Sequence, residues 1–325
     1  MSKNCRSLGS LTVAASMAAA ILSIPFEDTR CEEKFGAKQL TFGSVAEIEP
    51  NISPDGRWIA FQYFAEKSPR LAQIGVMDTS KGFASARPLV DQHGYAAEMS
   101  WSPDSKWISF ISSENKPSRN TDQIYRINVA TKEIVQITNF PEGTLIGDST
   151  TWARNGLIAF ERDGEIFGIP DVGGKEMLLF DPRTAVSNQR PSNIRLSPDG
   201  KMLLFSVENE QQDLSEIWLA DLGSRSLRQL TSLHFDLFPA WIDEGHILFS
   251  RETKRGLSEV HLLSLRTGHL ERITCNHVDF ASSTDASGEV LYLSRKDPVS
   301  KESDNGGFFF GFHIWRIPIP RKMLR

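Results

Sequence analysis

Cysteine is scarce. Cys5, Cys31 and Cys275 are the whole complement of a 325-residue chain, too few for a disulfide-built scaffold or a cysteine-based zinc cluster. A basic excess is missing too, with 36 lysines and arginines against 41 acidic residues, so no nucleic-acid partner is expected. No stretch keeps a helical apolar period for long, which excludes an α-solenoid. Nor is there a Gly-x-Ser-x-Gly string, the nucleophile turn of an α/β-hydrolase. Apolar residues at 40% and charged residues at 24% are the proportions of a folded domain, not of a disordered tail or a multispanning membrane protein.

What is present begins at the N-terminus. Lys3 and Arg6 precede an uncharged stretch from Ser7 to Phe26 that carries Leu8, Leu11, Val13, Met17, Ile21, Leu22 and Ile24. A positive start followed by an apolar, alanine-rich run reads as a secretory signal or an N-terminal anchor over residues 1–26. The folded part is then expected in the periplasm or outside the cell, touching a membrane only through that segment if it stays uncleaved. In such an oxidising space Cys31 and Cys275 could pair.

The rest of the chain repeats. Ile52-Ser53-Pro54-Asp55-Gly56-Arg57-Trp58-Ile59-Ala60-Phe61 recurs from Trp101 and from Leu196, with weaker copies from Trp152, Trp241 and Thr284. The starts are 43 to 51 residues apart. Ser-Pro-Asp-Gly suits a type I turn, and the apolar, β-branched and aromatic runs on either side suit two buried strands joined by a hairpin. A third strand follows in each copy: Gln73–Met77, Gln123–Ile127, Glu165–Ile169, Glu216–Ala220, Glu259–Leu263 and His313–Ile317. A short outer strand then ends in Ile137-Thr138, Leu230-Thr231 or Ile273-Thr274. Four strands per period of this length describe a propeller blade, so the expected fold is an all-β, six-bladed β-propeller.

The last copy runs out after its third strand, while an orphan outer-strand ending, Gln39-Leu40-Thr41-Phe42, stands before the first. The spacing predicts that residues 39–42 supply the fourth strand of the last blade. The domain would then span 39–325, behind a short linker at 27–38.

These repeats resemble those of the TolB-type, WD40-like β-propellers, whose blades carry a Trp-Ser-Pro-Asp-Gly hairpin and end in Leu-Thr. The resemblance covers residues 39–320. It implies a propeller; function is less specified, because propellers serve as scaffolds, receptors and enzymes. TolB itself is a periplasmic component of the Tol-Pal system with a small α/β domain ahead of its propeller. Residues 27–38 leave no room for such a domain here, so a Tol-Pal role is not expected.

Loops from the outer strand of one blade to the inner strand of the next gather around the central channel, the natural seat of a ligand. Read in register, they offer Glu47 and Glu49, His93 and Tyr95, Glu142 and Asp148, Asn188 and Arg190, His234 and Asp236, and His277 and Asp279. Two readings follow. The main one is a non-enzymatic module that binds a protein or small polar ligand there, with no cofactor. The alternative resembles oligogalacturonate lyases: His93, His234 and His277 would hold a divalent metal that acidifies a carbohydrate proton. A plainer expectation for the repeated His-x-Asp is that its Asp only holds the loop through backbone amides. The tryptophans fall at blade positions and read as inter-blade core. Phe308-Phe309-Phe310 reads either as a contact patch or as a buried start to the sixth blade's third strand.

Overall fold

The computed structural model describes residues 36–43, 45–64, 72–90, 96–112, 122–144, 146–184, 186, 189–209, 212–253, 257–275, 278–285, 287–296 and 311–324. The N-terminal segment, Cys31, His93, Tyr95, Asn188, His277 and the Phe308–Phe310 run lie outside them.

The Ser-Pro-Asp-Gly turn explains its own residues. Gly56 donates its N–H to Ser53 O at 2.8 Å, which closes the turn. Its φ of 73° lies in the left-handed region that glycine adopts without strain. Ser53 Oγ donates to Asp55 Oδ1 at 2.6 Å and accepts the Trp58 N–H at 3.0 Å, while Asp55 Oδ1 accepts the Arg57 N–H at 3.0 Å. The same bonds recur at Ser102 and Asp104, and at Ser197 and Asp199. One serine and one aspartate thus satisfy the backbone that a four-residue hairpin leaves open.

Six four-stranded antiparallel sheets result. Their innermost strands are Ala46–Ile52, Ala96–Trp101, Ile146–Trp152, Pro191–Leu196, Asp236–Asp243 and Asp279–Thr284. Consecutive innermost strands touch in cyclic order, the sixth against the first, so the sheets form a ring about a central axis. Both faces of each blade are covered by its neighbours, which is why the second and third strands read as nearly unbroken apolar runs. Between blades one and two, Ala60, Ile74 and Val76 pack with Trp101, Ile108, Phe110 and Tyr125. The tryptophans serve these contacts as expected. Trp101 Nε1 donates to Asn51 O at 2.7 Å, and Trp241 Nε1 to Arg195 O at 3.0 Å, each across a blade junction.

The ring closes as predicted, one residue earlier. Lys38 and Gln39 pair antiparallel with Arg316 and Trp315, making an N-terminal strand the outermost of blade six. Leu40 N donates to Ile314 O at 2.8 Å, and Thr41 Oγ1 accepts the Ile314 N–H at 2.9 Å. Thr138, Thr231 and Thr274 cap their own third strands in the same way, at 2.9, 3.0 and 2.9 Å. The Leu-Thr ending therefore has a physical cause: its hydroxyl extends the ladder by one bond where the outer strand turns away. Cys275, directly after Thr274, is disulfide-bonded.

Candidate functional site

Every innermost strand breaks register against its neighbour at a matching place: between Ile48 and Asn51, Ala97 and Ser100, Ile146 and Thr150, Ser192 and Arg195, Leu237 and Ala240, and Ala281 and Ser283, with a further break in blade five between Trp241 and Asp243. These are β-bulges, which re-aim side chains. At four of them the same repeat position is left-handed: Glu49 (φ 52°), Glu98 (59°), Asn193 (49°) and Phe238 (54°). A bulky residue there carries strain of about 1–3 kcal/mol, held by its surroundings.

Side chains from the preceding blade supply that support. Glu49 N donates to Ser294 Oγ at 2.8 Å, Asn193 N to Asp148 Oδ1 at 3.1 Å, and Phe238 N to Asn193 Oδ1 at 3.1 Å. Ser250 Oγ likewise accepts the Ala281 N–H at 2.8 Å. The bulge residues are tied blade to blade around the axis.

Charged groups converge there from three blades. Glu49 of blade one feels both Asp148 of blade three and Arg195 of blade four. Gln62 donates a side-chain hydrogen bond to the Glu49 carboxylate. Burial is the main effect on Glu49 and pushes its pKa from 4.5 up to about 7; Asp148 adds to the rise, while Arg195 and Gln62 oppose it. Burial also raises Asp148, against the Asn193 N–H, Arg195 and Arg190. Glu161 is raised by burial too, although Arg190 binds it with Nη2–O distances of 2.6 and 2.8 Å. Gly147 is needed where Glu161 passes: a Cβ on residue 147 would lie 2.5 Å from Glu161 Oε2.

The pH dependence of stability has a definite sign. A carboxyl whose folded pKa is raised favours the fold most below its unfolded value and loses that contribution as pH climbs through the folded one. Urea unfolding is therefore expected to show stability falling between about pH 5 and pH 8, by roughly 3 kcal/mol at most from Glu49. Asp148 and Glu161 act in the same direction. Glu49→Gln should flatten the slope and exceed the parent in stability at pH 8. An unchanged slope would mean that Glu49 ionises like a surface carboxylate.

The other sequence-predicted residues are placed differently. Asp236 and Asp279, the Asp of each His-x-Asp, are fully buried and closed by arginines of their own blades. Arg251 meets Asp236 at 2.7 and 2.8 Å, and Arg295 meets Asp279 at the same two distances. Neither carboxylate is offered to the channel, and the recurrence of Asp has this pairing as its cause. Glu47, at the equivalent position of blade one, is 3.1 Å from His313 Nδ1 of blade six and helps to close the ring. His234 is exposed on its loop, as is Glu142. Arg190 is about half exposed beside Glu161.

Among the described residues no group of three His, Cys, Asp or Glu side chains is placed to hold a metal ion. His261, which the loop register could not single out, is a core residue stacked on Phe249 at 5.7 Å; burial lowers its pKa to about 4, Arg251, Arg272 and His234 adding to the effect.

Glu161 and Arg195 were not legible from loop register because both lie inside strands. Their signal is one of columns. Arg195 stands where the other repeats have Asn51, Ser100, Thr151, Ala240 and Ser283, and Glu161 where they have Gln62, Ile111, Ser206, Ser250 and Ser294. A charge in an otherwise uncharged column marks each.

No family model matches this sequence, and no curated relative does. Solved structures do. The putative TolB from Agrobacterium tumefaciens is 16% identical with a TM-score of 0.55, over 84% of this chain and 90% of that one. TolB from Acinetobacter baumannii is 18% identical with a TM-score of 0.54, over 85% of this chain and 63% of that one. An oligogalacturonate lyase in complex with manganese is 11% identical with a TM-score of 0.55, over 93% and 98%. At these identities the likeness is one of fold, and it agrees with the hairpins, the threonine caps and the closing strand: the chain is a six-bladed β-propeller, similar in fold to those of TolB proteins and oligogalacturonate lyases.

Proposed function

We propose that this chain is an exported propeller of the cell envelope that works as a non-enzymatic binding module, seating a protein or a polar ligand at its channel face. The observation that carries this reading is the convergence of Glu49, Asp148 and Arg195 on the channel, where burial holds two carboxylates away from their ordinary ionisation. Shifted carboxylates on a rigid concave scaffold are what a binding site for a charged group offers. The disulfide at Cys275 supports an oxidising compartment, and the likeness to TolB propellers supports an envelope setting.

The test places a photo-crosslinking residue at position 234, on the exposed loop beside the channel, and at position 172, on an exposed outer turn, in the protein's own host. One discrete crosslinked product from 234 and none from 172 is expected. Equal labelling from both positions would overturn the reading.

A second reading, metal-assisted action on acidic carbohydrate through His93, His234 and His277, draws on the likeness to the manganese-bound lyase. Near-stoichiometric Mn or Zn in protein purified without chelator, lost in His234→Ala/His277→Ala, together with turnover of oligogalacturonate, would install it instead.

A further inference from the structure

Among the described residues the channel cluster holds more carboxylates than guanidiniums. Three carboxylates, Glu49, Asp148 and Glu161, face two guanidiniums, Arg190 and Arg195; Arg190 binds Glu161 directly and acts on Asp148 at longer range. Arg195 acts on both Glu49 and Asp148. Glu98 of blade two occupies the same left-handed bulge position as Glu49, so blades one to three all bring an acid to the inner wall.

The opposite wall has another chemistry. Phe238 of blade five takes the Glu49 position in its own strand. Its ring lies 5.2 Å from Phe280 of blade six, which stacks in turn on Phe312 at 5.5 Å. Phe238 is half-buried, while Phe280 packs against the cluster of Ile48, Val278 and Phe312 and backs it. A third observation is independent of both walls. Ser206 occupies the repeat position from which Ser250 and Ser294 reach the innermost strand of the next blade. Asn193 already takes the Phe238 N–H that would be its target. The Ser206 hydroxyl is fully buried and has no hydrogen-bond partner. A buried hydroxyl of this kind still has a hydrogen bond to make.

We propose that the channel receives a lysine or arginine side chain from a peptide segment of a partner, with Glu49 and Asp148 taking its charge and Phe238 its aliphatic stem. The inference rests on the binding reading above and names the chemistry of the occupant. A basic side chain is apolar along its stem and charged at its tip, which matches a channel with one aromatic wall and one acidic wall. A bare metal ion would leave the phenyl wall unused. An anion would meet an excess of carboxylates.

The charge count gives the inference a measurable consequence. Asp148, Glu161, Arg190 and Arg195 are the described titratable and charged groups that Glu49 and its neighbours face. With no cation present Glu49 holds a proton across much of the neutral range; an incoming ammonium or guanidinium replaces that proton, which leaves to solvent. Affinity is therefore expected to rise about tenfold from pH 6 to pH 8, following the ionised fraction of a group with a pKa near 7.

The experiment uses the full chain with its disulfide intact and titrates Gly-Ala-Lys-Ala-Gly by calorimetry in two buffers of different ionisation enthalpy. Peptides with arginine, norleucine or glutamate in place of the lysine run beside it. Lysine and arginine peptides should bind with proton release, and the other two should not. Glu49→Gln should weaken binding and abolish its pH dependence, with Asp148→Asn as a second variant should the first fold poorly. Phe238→Ala should weaken binding equally at both pH values. Binding of the norleucine or glutamate peptide as tight as that of lysine, or lysine binding that keeps its pH dependence in Glu49→Gln, overturns the inference. If no basic peptide binds while position 234 still crosslinks one partner, this inference falls and the binding module stands; if crosslinking also fails to distinguish 234 from 172, both fall.

Discussion

Deleting residues 27–44 is expected to abolish the single cooperative melting transition of the propeller. The deletion removes the Lys38–Arg316 and Gln39–Trp315 pairs, the Leu40 N–H bond to Ile314 and the Thr41 cap. It also strips Ala37 and Leu40 from the apolar clusters on which they pack. A few net hydrogen bonds and one partly buried leucine together contribute about 4–5 kcal/mol, comparable to the whole stability of a marginal domain. The third strand of blade six would also present an open edge, prone to pair with another chain. Thr41→Ala, losing one buried cap, should cost only about 1–2 kcal/mol and keep cooperativity. Cys275→Ser measures separately what the disulfide at Cys275 contributes. Calorimetry of the three forms decides the matter: unchanged cooperative melting of the deletion would show that the ring does not depend on its closing strand.

The second large effect concerns Asp279. Arg295 is only 2% exposed, against 16% for Arg251 beside Asp236. Asp279→Ala removes from a buried guanidinium the carboxylate it binds twice, and one broken buried pair typically costs about 3–5 kcal/mol. Asp236→Ala should cost less, about 1–2 kcal/mol, because Arg251 can turn toward water. Replacing both members of the Asp279–Arg295 pair by methionine should recover most of the loss, since no charge is then left buried alone. Urea midpoints of these variants separate a structural role from a ligand-holding one. If Asp279 served a ligand, its alanine variant would lose binding while keeping its midpoint.

The propeller was legible in the sequence because each of its signals is a local bond that repeats. Ser53, Asp55 and Gly56 satisfy one hairpin among themselves, and Thr138 caps one third strand, so neither depends on distant residues. Closure was legible for the same reason: Leu40-Thr41 carries an outer-strand ending that lacked a blade of its own. The channel is another case. Loop register could not separate Asp148, which lies near Glu49 and Arg195, from Asp236 and Asp279, which lie against arginines of their own blades, because an Asp at a strand start reads the same in either setting. What separates them is Arg251 and Arg295, paired across the ladder from those aspartates. Glu161 and Arg195 carry no loop signal, because a charge inside a strand acquires a channel only when bulges turn its neighbours inward.

The closing strand also sets an order in time. Lys38 pairs with Arg316, so the register that seals the ring joins the beginning of the folded chain to its end. A polypeptide emerging N-terminus first must carry its outermost strand unpaired past five complete blades before the partner strand exists. Loop closure over so long a span is entropically costly and slow. Maturation of this protein is thus expected to end with one late docking event, and a chain interrupted before Phe312 would hold its first strand exposed as a handle for chaperones and proteases.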